Sequence, residues 1–273
     1  MTPAESARPE DVAAHLERPI DELDAADAAV ALDERRGPDL PNIPLLDASV
    51  ATPEEFKPTW RGWIHAGTFP VAIATGIILI CLAEGAVAKW ASAVFMTTSL
   101  LLFGNSALYH RFDWKPRTKV ILKRIDHANI FLLIAGTYTP MSLLALPADK
   151  GVVLLTVVWA GALVGIGFRV FWITAPRWLY VPIYLLLGWA AVMYLGDLLA
   201  ASVAMMVLVA VGGVLYTIGA VIYGIKRPNP WPGVFGFHEI FHTCTVLAFL
   251  CHWTASLIVA LAPLSTSVGG VGG

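Results

Sequence analysis

From His65 onward the chain carries seven continuous apolar runs of bilayer-crossing length. A helix needs ~20 residues to cross a hydrocarbon core of ~30 Å. The runs fall near residues 65–83, 88–109, 127–146, 151–171, 178–196, 202–224 and 240–262. They are unbroken rather than alternating and too long for barrel strands, so each reads as a helix. Inside lipid every backbone N–H and C=O must be satisfied by the protein, and a helix does this within one segment. The expected fold is an all-α membrane protein, a seven-transmembrane helix bundle.

Composition agrees. Hydrophobic residues make up 57% of the 273 residues and charged ones 14%, against about 45–50% and 25% in soluble domains. The charge is unevenly spread. Residues 1–63 hold fourteen of the twenty acids, and residues 64–273 hold six acids and twelve Lys or Arg. No broad basic domain is present, which excludes nucleic acid as a partner. Cys81, Cys244 and Cys251 have no CxxC spacing, and so imply neither a disulfide framework nor a thiolate metal motif.

Three domains are expected. Residues 1–60 form an acidic, Pro-containing cytoplasmic tail without the apolar content to order itself. Residues 61–263 form the membrane domain, and residues 264–273 a glycine-rich flexible tail. No basic start followed by an apolar run is seen, so no signal peptide is expected. Seven spans place the N-terminus and the 2–3, 4–5 and 6–7 loops on one side. Twelve Lys or Arg lie near that side and two, Lys89 and Lys150, near the other. By the positive-inside bias the N-terminus is cytoplasmic, the C-terminus is extracytoplasmic, and the protein is a multi-pass resident of the cell (cytoplasmic) membrane. Trp and Tyr near span ends, Trp90, Trp178 and Tyr180 among them, read as interfacial anchors. Pro140 and Pro182 are expected to kink spans 3 and 5.

Ionisable groups inside spans are costly and point to function. His110 ends span 2, His238 and His242 open span 7, and Asp126 opens span 3, so all four reach one membrane depth. His238 and His242 stand at i, i+4, which turns both rings to one helix face. Ser106 and His110 share that spacing on span 2. Two imidazoles from one helix and one from another make a three-nitrogen site, the pattern in which zinc keeps an open fourth position. Imidazole also suits copper, iron and nickel. Asp126 is then a candidate general base, and Ser106 a candidate hydrogen-bond donor to water or substrate.

The other polar residues read more plainly. His65 is assigned to the interface and His252 to an interhelical hydrogen bond. His127 turns away in favour of Asp126, while Glu84 and Asp197 are solvated loop acids. The pentapeptide HEIFH at 238–242 also fits the zinc-protease pattern with Glu239 as base. Such a protease takes its third ligand from a later element, and no later span exists to give one.

Three segments carry a family resemblance: FGNSALYHRFDW (103–114), RIDHANIFLLIAGTYTP (124–140) and FGFHEIFHTCTVLAFLCHW (235–253). In this order on seven spans they resemble the hemolysin III-like branch of the progestin and adiponectin receptor (PAQR) family, within a superfamily that includes alkaline ceramidases. The resemblance covers roughly residues 60–262. It implies zinc on His110, His238 and His242, motif roles for Ser106 and Asp126, and, as in animal members, hydrolysis of ceramide-type amides. The leading expectation is a zinc-dependent hydrolase of a lipid-like amide or ester, with membrane lipids as partners. The alternatives are a seven-span receptor or sensor with structural zinc, and a hemolysin-type lytic protein.

Overall fold

The computed structural model describes residues 58–263. The acidic tail up to residue 57 and the glycine-rich end from residue 264 lie outside the described residues. Seven helices are long and apolar enough to cross a membrane. In chain order they are α1 (Trp63–Leu82), α2 (Gly85–Arg111), α3 (Pro116–Ala145), α4 (Ala148–Phe171), a broken fifth span, α7 (Val203–Ile225) and α8 (Phe237–Leu261). The fifth span comprises α5 (Arg177–Gly188), a 3-10 turn (Ala190–Tyr194) and α6 (Leu195–Ala201).

Helix α3 is the axle of the bundle. Its spanning segment is 78% buried, against 11–50% for the other six, and it packs against α2, α4, α5, α6 and α8. It begins at Pro116, eleven residues before the apolar run read from sequence. The extra turns carry Lys119, Lys123 and Arg124, which are good helix formers but no part of a lipid-facing run. Asp126 therefore sits three turns inside a helix rather than at its mouth. Pro116 at the first helical position suits the start, where a missing N–H costs nothing.

Two asparagines fix how α2 and α3 lie along each other. Asn129 Nδ2 donates to Leu101 O at 2.9 Å, and Asn105 Nδ2 donates to Leu122 O at 3.3 Å. Interhelical bonds of this kind contribute about 0.6–2 kcal/mol each in membranes. On α3 these two flank Asp126, and on α2 the second is made by the residue before Ser106, so the two side chains come level. The glycine-rich runs at 161–167 and 211–220 supply close contacts, as on the α7 face that meets α8.

The prolines do not break the helical assignment: Pro140 lies within α3 and Pro182 within α5. The irregular stretch in span 5 comes later, at Trp189–Tyr194. Its freed backbone groups meet one side chain. Tyr138 Oη donates to Gly188 O at 2.7 Å and accepts from Ala191 N at 2.8 Å. Non-helical backbone at membrane depth survives where it is buried or lines a cavity, and Gly188 and Trp189 do line one.

At the end opposite the histidines, Lys150 Nζ meets both Asp197 oxygens, at 2.7 and 2.9 Å. Asp197 is thus an ion-pair partner on α6 and not a solvated loop acid. Tyr180 is also corrected: it is 4% exposed, while Trp90 and Trp178 are 74% and 76% exposed as anchors should be.

Tyr138→Phe strands both backbone groups of the span-5 break. It is expected to cost about 1–2 kcal/mol, lowering the unfolding midpoint by ~3–6 °C in detergent. An unchanged midpoint would show that the turn finds other partners.

Candidate metal centre and its cavity

His110 comes from the last turn of α2, and His238 and His242 from the first two turns of α8. Their ligating nitrogens all lie within 4.8 Å of one another, the one group among the described residues with such geometry. His110 Nε2 and His238 Nε2 are 3.3 Å apart. Two nitrogens at ~2.0–2.1 Å from a tetrahedral zinc would sit ~3.3–3.4 Å from each other. The triad could hold a metal ion.

Carboxylate and hydroxyl flank it. Asp126 Oδ2 is 3.7 Å from His110 Nε2, and the Ser106 hydroxyl is within reach of the Asp126 carboxylate. Ser106 is 2% exposed. All five sequence candidates thus meet in one place, drawn from α2, α3 and α8.

Glu239, the base of a zinc-protease reading, is taken up in structural work. Its Oε2 accepts from Gly236 N at 2.9 Å, capping α8, and its Oε1 accepts from Arg61 Nε at 2.6 Å. Both carboxylate oxygens are engaged, one of them by a cation, so Glu239 is a poor candidate for proton transfer.

The strap before α1 braces the triad. Thr59 N and Trp60 N donate to Gly233 O and Val234 O at 3.1 and 3.2 Å, pairing the strap with the loop before α8. Gly62 adopts φ +82°, and a Cβ there would come within 2.8 Å of His110 Cβ. Glycine is needed both for the left-handed backbone and for the close approach. His65 is 3% exposed and stacks on His242, with centroids 3.9 Å apart and planes 14° apart. The interfacial reading of His65 is therefore overturned: its ring is a packing wall for a ligand ring. An apolar edge from Phe103 completes that wall at 5.1 Å.

The triad opens on a cavity of about 1040 Å³, at the upper end of ordinary ligand sites. Polar groups crowd its mouth. His127 also lines it, with Nδ1 2.7 Å from Lys123 O and Nε2 3.4 Å from Tyr223 Oη. Arg169 is 1% exposed and lies 4.2 Å over the Tyr180 ring, and Arg177 lies 4.3 Å over that of Tyr223. Neither arginine forms an ion pair among the described residues. Sequence reading missed both, since it counted them only as cations marking a membrane side. Their signal was position: each sits within a turn or so of a span end that also closes on the histidines. Deeper in, Leu133, Ile134 and Leu185 make the lining apolar.

A seven-span helical membrane protein with a buried His triad at the end of a long cavity is the class these features define. Residues 54–253 match the haemolysin-III related family, and the chain belongs to that family. It is 35% identical over 177 residues to the hemolysin-3 homolog of Bacillus subtilis (strain 168), covering 63% of this chain and 80% of that one. It is 32% identical over 134 residues to hemolysin-3 of Bacillus cereus, covering 49% and 61% respectively. A 49-residue stretch is 49% identical to the ADIPOR-like receptor IZH2 of Saccharomyces cerevisiae, 16% of either chain.

Protein purified without a histidine tag is expected to carry about one transition-metal ion per chain, measured by plasma mass spectrometry. His110→Ala and His238→Ala should each lose it. A variant that kept full metal would place the ligands elsewhere.

Proposed function

We propose that the protein is a zinc-dependent hydrolase of a lipid-like amide or ester, working at the cytoplasmic face of the cell membrane. The observation that carries this is the joining of two features in one space. Three imidazoles with a carboxylate 3.7 Å from one of them line one end of a cavity that runs on past the apolar side chains Leu133, Ile134 and Leu185. Orientation follows the basic residues, which gather at the end that holds the histidines.

Zinc bound by His110, His238 and His242 would polarise a carbonyl and supply a water acidic enough to ionise near neutral pH. The chain's own residues do the rest. Asp126 accepts the proton released as water adds to the carbonyl carbon, and returns it to the departing nitrogen or oxygen as that bond breaks. Ser106 holds the carboxylate in line. Arg169 and Arg177, without acidic partners among the described residues, sit where the product's carboxylate would emerge, and their charge favours that anion. Tyr180 and Tyr223 fix the two guanidinium planes by stacking. The apolar interior holds the acyl chain and keeps bulk water from it.

A receptor or sensor with a structural metal is the second reading, favoured by the stretch similar to an ADIPOR-like receptor. The two readings part at Asp126. For a hydrolase, Asp126→Asn keeps the metal and loses turnover of a fluorescent ceramide-type amide by about 10²–10⁴-fold. For a receptor that variant is close to silent. Full turnover in Asp126→Asn would sink the assigned role. The lytic reading predicts dye release from liposomes that hold no substrate, and the hydrolase reading predicts none.

A further inference from the structure

Ten residues beyond His242, and so ~15 Å deeper along α8, the same cavity has a second polar wall that hydrolysis does not use. His252 from α8 and Tyr216 from α7 both line it. Their rings meet edge to face with centroids 5.5 Å apart. Tyr216 Oη and both ring nitrogens of His252 are buried, and none has a hydrogen-bond partner among the described residues. The interhelical bond expected of His252 is therefore absent, and its contact with α7 is one of packing.

The neighbouring polar groups behave differently. Thr245 Oγ1 donates to Phe241 O at 2.9 Å, Thr137 Oγ1 to Leu133 O at 2.8 Å, and Trp189 Nε1 to Thr217 Oγ1 at 3.0 Å. Tyr138 is used by the span-5 break. At this depth the His252–Tyr216 wall leaves its polar atoms without partners; the other lining atoms so left among the described residues, on His65 and Arg169, lie at the triad end. Room has also been made for it: a Cβ on Gly212 would run into the His252 ring. Near the bilayer centre neither solvent nor headgroups can satisfy such groups. Neutral imidazole offers one donor and one acceptor, and the phenol offers both.

We propose that Tyr216 and His252 form a second recognition site, which hydrogen-bonds an oxygen carried part-way along the chain of a lipid ligand. That oxygen is a hydroxyl or a keto group. It would accept from Tyr216 or from the protonated nitrogen of His252, and a hydroxyl would also donate to the bare one. An unsubstituted chain fits the same space but leaves three polar atoms unmatched. A site built this way discriminates against the ligand that lacks the group. The proposal rests on the lipid-binding reading of the cavity and names the kind of lipid.

The test compares oleic acid with ricinoleic acid, which differ by one mid-chain hydroxyl. Full-length, metal-loaded protein in detergent is titrated with each, following intrinsic tryptophan fluorescence and thermal shift. Ricinoleic acid is expected to bind about tenfold more tightly. Tyr216→Phe and His252→Phe should each narrow the gap while metal content and oleic acid affinity stay unchanged. Equal affinity for the two acids in the wild type would overturn the second site alone, as would a preference that both variants keep. Binding of neither acid would overturn the lipid reading and this site with it. Should His252→Phe fail to fold, the near-isosteric Tyr216→Phe decides the matter.

Discussion

The bundle depends on holding two helix ends level with an inner turn of a third helix. Four nitrogen and oxygen groups on α2, α3 and α8 must arrive at one membrane depth, though His110 and His238 are 128 residues apart in the chain. Hydrophobic burial cannot set that level, because a helix sliding along its neighbour in lipid trades one apolar contact for another. Directional contacts set it. The two asparagine bonds lock α2 against α3, the strap ties α1 to the loop before α8, and the His65 ring lies flat on His242. Each contributes little. Together they leave one register in which the imidazoles converge.

The same constraint explains which charges are tolerated. Glu239 is 1% exposed yet uses both carboxylate oxygens, one on Arg61 and one on the start of α8. Arg169 is as deeply buried but meets ring faces and neutral oxygens. The first arrangement is closed and structural. The second has no carboxylate partner among the described residues and borders the cavity.

Much of this was legible in the sequence, because the signals were strong and local. Span number followed from run length, and the i, i+4 pair from helical geometry. The shared depth of His110, Asp126 and His238 followed from counting crossings. What escaped was set by contacts with no local pattern. The polar turns of α3 before Asp126 are helix by tertiary support, and hydropathy sees only the lipid-facing part. The break after Gly188 depends on a tyrosine fifty residues earlier, whereas Pro182 offered the more obvious signal. His65 and Arg169 looked like boundary residues because a boundary and a site coincide at the same end of the bundle. His252 was assigned a partner by expectation, and its ring nitrogens have none among the described residues.

The strap has a consequence for how far the chain can be shortened. Gly62 rests on His110, Arg61 on Glu239, and Thr59 and Trp60 on the loop that leads into α8. The first spanning helix begins only at Trp63. A boundary drawn from hydropathy would therefore cut away the brace while sparing every helix. A chain that keeps these described contacts must include Thr59, four residues ahead of the first spanning helix.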